Sequence, residues 1–172
     1  MSRTLTTAAV VALLFGALTA CNSSDSKTDQ GSGNKGSASN TKALDAGSAF
    51  TKLSGKVGTA KLTGTVTAEN DPNKLLGRPS QYTSKITFSD SRISAEDVAG
   101  TDKGDVDRGG AIEAFGTPAD ATARAKYIQA VTKGMPALTE YDYVHGTVLV
   151  RVSHNLTPKQ AAAYKAAADG LN

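Results

Sequence analysis

Apolar and polar residues alternate along several stretches of the chain, and that period of two predicts half-buried strands. From Ala60 to Ala68, the apolar Ala60, Leu62, Val66 and Ala68 alternate with Lys61, Thr63, Thr65 and Thr67. Tyr82, Ile86 and Phe88 alternate with Thr83, Lys85 and Thr87, and Ser89-Asp90-Ser91 can turn that strand. Ala111 to Phe115 reads as a short apolar strand. Tyr141 to Val152 carries the strongest β signal, with Val148, Val150 and Val152 set against Leu149 and Arg151. His145-Gly146 in its middle fits a two-residue hairpin turn, because glycine supplies the positive φ such turns need. A single long strand is the rival reading. Asn70-Asp71-Pro72-Asn73 is a turn by composition, Leu75 to Pro79 continues as a loop, and Glu96 to Gly110, rich in Asp and Gly, is a second loop.

Helical spacing appears three times. Ala43, Ala46, Phe50 and Leu53 fall on one side of a short helix that Gly55 stops. Thr117-Pro118-Ala119-Asp120 has the residues of a helix start: an N-cap threonine, proline in the first turn and a carboxylate near the positive end of the dipole. Ala121, Ala125, Ile128 and Val131 then face a core, and Lys133, Gly134 and Pro136 end the helix. Thr157-Pro158-Lys159-Gln160 repeats the start signal as a capping box before an alanine-rich helix that runs to about Asp169 and closes at Gly170. The order of elements predicts an α+β domain: an antiparallel sheet with about three helices packed on one face, following an N-terminal tether.

Near the N-terminus, Arg3 precedes an apolar run, Ala8 to Leu18, that is too short to cross a bilayer. The run closes on Leu18-Thr19-Ala20-Cys21. A basic start, a short apolar stretch and small residues before a cysteine are the parts of a secretory signal, and the last four residues resemble the lipobox of bacterial lipoproteins. That resemblance implies cleavage between Ala20 and Cys21 and a thioether-linked diacylglycerol on Cys21, often with a further acyl chain. Two chains anchor a protein stably where one does so marginally. Residues 1–20 are then a signal peptide and Cys21 is the lipidation site, with the bilayer as its partner on the outer face of the cytoplasmic membrane. Residues 22–41 hold no aliphatic or aromatic side chain beyond one alanine. They read as a flexible Ser/Gly-rich tether that cannot offset its ordering entropy. Residues 42–172 suffice for one domain.

Loss of Arg3 from 19 basic residues leaves 18 against 16 acidic ones. So balanced a chain is expected to bind no nucleic acid, which demands a clustered basic face, and it offers no polybasic membrane patch. Cys21 is the only cysteine, so no disulfide or thiolate metal site is expected. The segment Gly31 to Ser37 is no phosphate loop, because Ser37 follows Gly36 where that loop requires lysine. Asp97, Asp102, Asp105 and Asp107 share one loop, but counted from Asp105 the calcium positions five and twelve are Gly109 and Gly116. His145 and His154 are the only histidines, and neither a Gly-x-Ser-x-Gly elbow nor a His-Glu-x-x-His helix is present. A Ser-His-Asp triad assembled only in space stays open. No metal, cofactor or catalytic residue is assigned.

Asn70, Asp71, Asn73 and Arg78 flank the Leu75-Leu76 pair, and Tyr141 and Tyr143 lie near His145. Tyrosine and arginine beside apolar residues are contact material, so Asn70, Asp71, Arg78, Tyr141 and Tyr143 are the candidate binding surface. The stretches Asn70 to Ile93 and Tyr143 to Val152 resemble small lipoproteins of actinobacteria, a resemblance that carries no catalytic residues with it. The expectation is a non-catalytic binding or accessory module of the cell envelope, with an envelope protein or ligand as partner. A hydrolase-like envelope enzyme and a lipid carrier are the alternatives.

Overall fold

Five antiparallel strands form one sheet in the order β1-β2-β3-β5-β4: β1 Ala60–Thr65, β2 Ser84–Asp90, β3 Gly109–Ala114, β4 Glu140–His145 and β5 Val148–Ser153. Three helices accompany it: α1 Ala46–Ser54, α2 Pro118–Thr132 and α3 Pro158–Ala168. This is a computed structural model, and it describes residues 43–172. The calls on Ala20, Cys21 and residues 22–41 lie outside the described residues. Because β5 pairs antiparallel with both β3 and β4, β3 and β4 run parallel, with α2 as their crossover and β5 inserted between them.

Alternation divides the sheet into two faces. Ile86 and Phe88 of β2, Ile112 and Ala114 of β3, and Val148, Val150 and Val152 of β5 point to one side, where they meet Ala49, Phe50 and Leu53 of α1 and Ala161, Tyr164 and Ala167 of α3. Phe88 is fully buried between the two helices, its ring 5.8 Å from Phe50 and 5.5 Å from Tyr164. Gly110, which pairs with both Phe88 and Val152, makes room for that ring: a Cβ there would collide with the Phe88 ring and the Arg151 carbonyl oxygen. The opposite side holds a second cluster of Tyr82, Phe115, Leu149 and the α2 residues Ala121, Ala125 and Ile128, with Leu75 and Leu76 packed against it.

The expected α+β class, antiparallel sheet and three helices are all present. The expected single helical face is not: α1 and α3 cover one side and α2 covers part of the other, because Leu149 and Glu113 turn away from the side that holds Val150 and Ile112. The Tyr141 to Val152 stretch is a hairpin, with His145 paired to Val148. Its two turn residues are Gly146 and Thr147, and Gly146 at φ +53 supplies the required conformation. β1 ends at Thr65 and its register slips between Leu62 and Gly64, leaving Leu62 54% exposed on an edge strand. Val131 is exposed as well, one turn beyond the buried part of α2. Among the described residues no helix is long and apolar enough to cross a membrane.

Candidate functional site

α2 covers only the end of its face near β4 and β5. Over the remainder lies a cleft of about 540 Å³. Its floor is the sheet itself: Thr63 and Thr65 of β1, Lys85 and Thr87 of β2, and Arg151 of β5. Between Thr87 and Arg151 the register places Ala111 of β3, and that small side chain leaves the depression. Asn70, Pro72 and Asn73 of the β1–β2 connection form one wall, and Asp102 to Val106 of the β2–β3 connection form the other.

Both walls are tied in place by local chemistry. Asp71 is fully buried and accepts hydrogen bonds from the backbone N–H groups of Asn73 (3.1 Å), Leu75 (2.8 Å) and Leu76 (2.9 Å) and from the Tyr82 hydroxyl (2.8 Å). Burial pushes its carboxyl up, but these four donors outweigh burial and leave it below the usual range. Asn70 accepts from the Thr67 N–H and donates to the Thr65 carbonyl. In the other wall, the Arg108 guanidinium donates to the carbonyls of Asp102, Val98 and Thr101, and Asp105 caps a 3-10 turn at Val106–Arg108.

The floor is charged. Glu113 of β3 is completely buried, with Lys85 at 3.0 Å, Arg124 of α2 at 3.0 Å and Arg151 at 3.1 Å. Burial opposes its ionisation, but the three cations prevail and hold its carboxyl below the ordinary range. Arg151 also grips Glu140 of β4 through Nε and Nη2, at 2.7 and 2.9 Å. Asp142 stands opposite Arg151 in the register. Neither of its carboxylate oxygens has a hydrogen-bond partner meeting strict geometry. Burial, and then the neighbouring Glu140, push its carboxyl up to about 8. At neutral pH, Lys85, Arg124 and Arg151 thus face two carboxylates, Glu113 and Glu140, and the floor keeps a surplus positive charge.

The five sequence-derived contact residues do not converge on one site. Asn70 lines the cleft. Asp71 is the buried tie of the loop, its carboxylate ringed by four donors, and it belongs to a separate shallow depression rather than to the cleft. Arg78 is exposed and lines that same depression with Asp71, Ala68, Lys74 and Leu76, so these two candidates do come together. Tyr141 and Tyr143 sit on β4, the edge strand opposite β1, and lean on the α1/α3 core, with the Tyr141 hydroxyl donating to the Leu156 carbonyl. Sequence reading missed Lys85, Glu113 and Arg151 as a group. The available signal was a charge at the centre of three β segments, above all Glu113 inside an otherwise apolar run. His154 stands 3.5 Å from Asp107, but the neighbouring Ser153 hydroxyl donates to the Asp107 carbonyl, so no triad forms there. Among the described residues, no group of three or more His, Cys, Asp or Glu side chains could hold a metal ion.

Fold and site together define an α+β domain with an open cleft floored by a buried ion network. The chain matches no protein-family model, no curated protein and no solved structure.

Proposed function

We propose that the protein is a lipid-anchored extracytoplasmic binding module, non-catalytic, with the cleft as its receptor site. The anchoring half of this reading rests on Leu18-Thr19-Ala20-Cys21 and on the polar segment that follows. A Ser/Gly-rich run of that length is expected, from composition, to give a reach of roughly 25 Å. Tethering raises the effective concentration of a weak receptor near its ligand. The observation that supports the receptor half is the pair of braced walls over a charged floor, a site formed before any ligand arrives. Asn70, Asn73, Lys85 and Arg151 give the cleft groups that orient a hydrophilic ligand, although apolar atoms form the larger part of its exposed lining.

Two measurements test the halves separately. Cys21→Ser is expected to abolish lipid labelling and release the protein from membranes; retention of the variant would refute the anchor. A photo-crosslinking residue at Asn73, on the cleft wall, is expected to capture a ligand or envelope protein in intact cells. The same residue at Tyr127, exposed on α2, is expected to capture none, and equal capture from both positions would refute the cleft as receptor.

A further inference from the structure

We infer that the cleft takes a compact oxyanion, a carboxylate or phosphate group, seated on Lys85 and Arg151 at its floor. The inference deepens the receptor reading above and rests on it. Lys85 is only 6% exposed, yet its ion pair to Glu113 engages at most one of its three N–H donors. Lys85 lines the cleft, and although its ammonium also sits over the Tyr82 ring, 5.2 Å from the centroid, a three-donor cation with one ion pair keeps a donor for an occupant of that space. Arg151 has five N–H donors, of which three are committed to Glu113 and Glu140. The Thr63 and Thr87 hydroxyls are 2.9 Å apart and hydrogen-bonded to each other. One of them donates to the other, which leaves the pair one proton to give a ligand.

The same two cations already hold one carboxylate, that of Glu113, which shows that their spacing suits an oxyanion. The geometry also limits size and charge. Lys103 stands on the rim and adds attraction, but Asp102 and Asp105 stand there too. A ligand with charge spread along its length would meet both rim carboxylates, whereas a single anionic head reaching the floor passes them. Repulsion of this kind is how a site rejects the wrong partner. Among the described residues no aromatic side chain lines the cleft, so the floor charges, not ring stacking, supply the recognition.

The test is a titration of the full chain with inorganic phosphate and, separately, acetate, read at backbone amides by NMR with chloride as control. Saturable shifts are expected at Thr63, Thr87, Lys103 and Gly104. Lys85→Met should weaken binding by about tenfold or more, the loss of a charge-assisted hydrogen bond in a partly dry site. Lys103→Glu, on an exposed rim residue whose exchange leaves the fold alone, should weaken it by about threefold or more, because a rim charge acts through solvent. It keeps the test decisive if Lys85→Met melts. Shifts scattered over Lys52, Lys56 and Lys133 instead of the cleft would overturn the inference, as would equal affinity for Lys103→Glu and wild type. Sucrose, a neutral probe, separates the two readings: cleft shifts with sucrose but with neither anion overturn the oxyanion and leave the receptor standing. Equal crosslinking from Asn73 and Tyr127 removes the receptor itself.

Discussion

A carboxylate without exposure survives only where donors surround it, and Asp71 collects four from the segment that joins the Thr67 turn to Tyr82. Its side chain does for this loop what an N-cap does for a helix, satisfying N–H groups that no strand or helix can reach. Three consequences meet in one residue. The wall carrying Asn70, Pro72 and Asn73 is held over the cleft, Leu75 and Leu76 are pressed into the α2 cluster, and the buried Tyr82 hydroxyl is satisfied. Asp71→Ala strands those donors. Each orphan costs about 1–3 kcal/mol and the costs are not additive, so a total loss of about 3 kcal/mol is expected in urea denaturation. Asp71→Asn should lose less, since one oxygen still accepts. A variant within about 0.5 kcal/mol of wild type would mean that the loop stands without its tie. Asx turn chemistry was visible in Asn70-Asp71-Pro72-Asn73, but the sequence could not show that the donors included a tyrosine eleven residues away.

Elements whose ends are fixed by neighbours in the chain were legible, and the side of the sheet they cover was not. Thr117 and Thr157 cap their helices as their spacing predicts, the latter in a full capping box. Both helices are alanine-rich and bury alanines around one larger side chain, Ile128 or Tyr164, so neither pattern by itself says whether the helix lies over Leu149 or over Val150. The decision comes from the crossover: α2 must travel from β3 to a parallel β4 past the inserted β5, while α1 and α3 fill the other face around Phe88. What locks α3 to its strand is equally non-local. The Tyr164 hydroxyl donates to the buried Asp90 at 2.6 Å, and Asp90 also accepts from Thr59 and from the Arg92 guanidinium. Burial pushes the Asp90 carboxyl up, but Arg92 and Tyr164 together bring it down to about 2. Its folded pKa lies below the unfolded value of ~4, so the stabilisation is complete above that value. It is lost as pH falls through about 2. Tyr164→Phe deletes one charge-assisted bond and leaves the ring packing intact. A loss of about 1.5 kcal/mol is expected at pH 7, shrinking in acid; a loss independent of pH would place the cost in packing rather than in the bond.

Across the whole molecule, one ion network runs from the cleft floor to the far edge of the sheet: Lys85, Glu113, Arg151 and Glu140 on four strands, with Arg124 tying α2 to it. Asp142 is its misfit, facing Glu140 from its own strand, Arg151 from β5 and Gln129 from α2. Because its carboxyl titrates near 8 in the folded protein and near ~4 when unfolded, the folded state binds the extra proton between those values. Stability attributable to Asp142 is therefore full below pH ~4, declines through the interval and is gone above about 8. Asp142→Asn keeps the shape, replaces the proton donor with an amide and cannot ionise. In paired melting curves the variant is expected to match wild type at pH 4. It should gain steadily on wild type as pH rises, reaching an advantage on the order of 1 kcal/mol or more by pH 9. Parallel curves for the two proteins would show that folding does not raise the Asp142 pKa, so that the group is ionised at neutral pH. The floor would then carry no surplus positive charge, which weakens the case for an anion at Lys85 and Arg151 without touching the cleft that holds them.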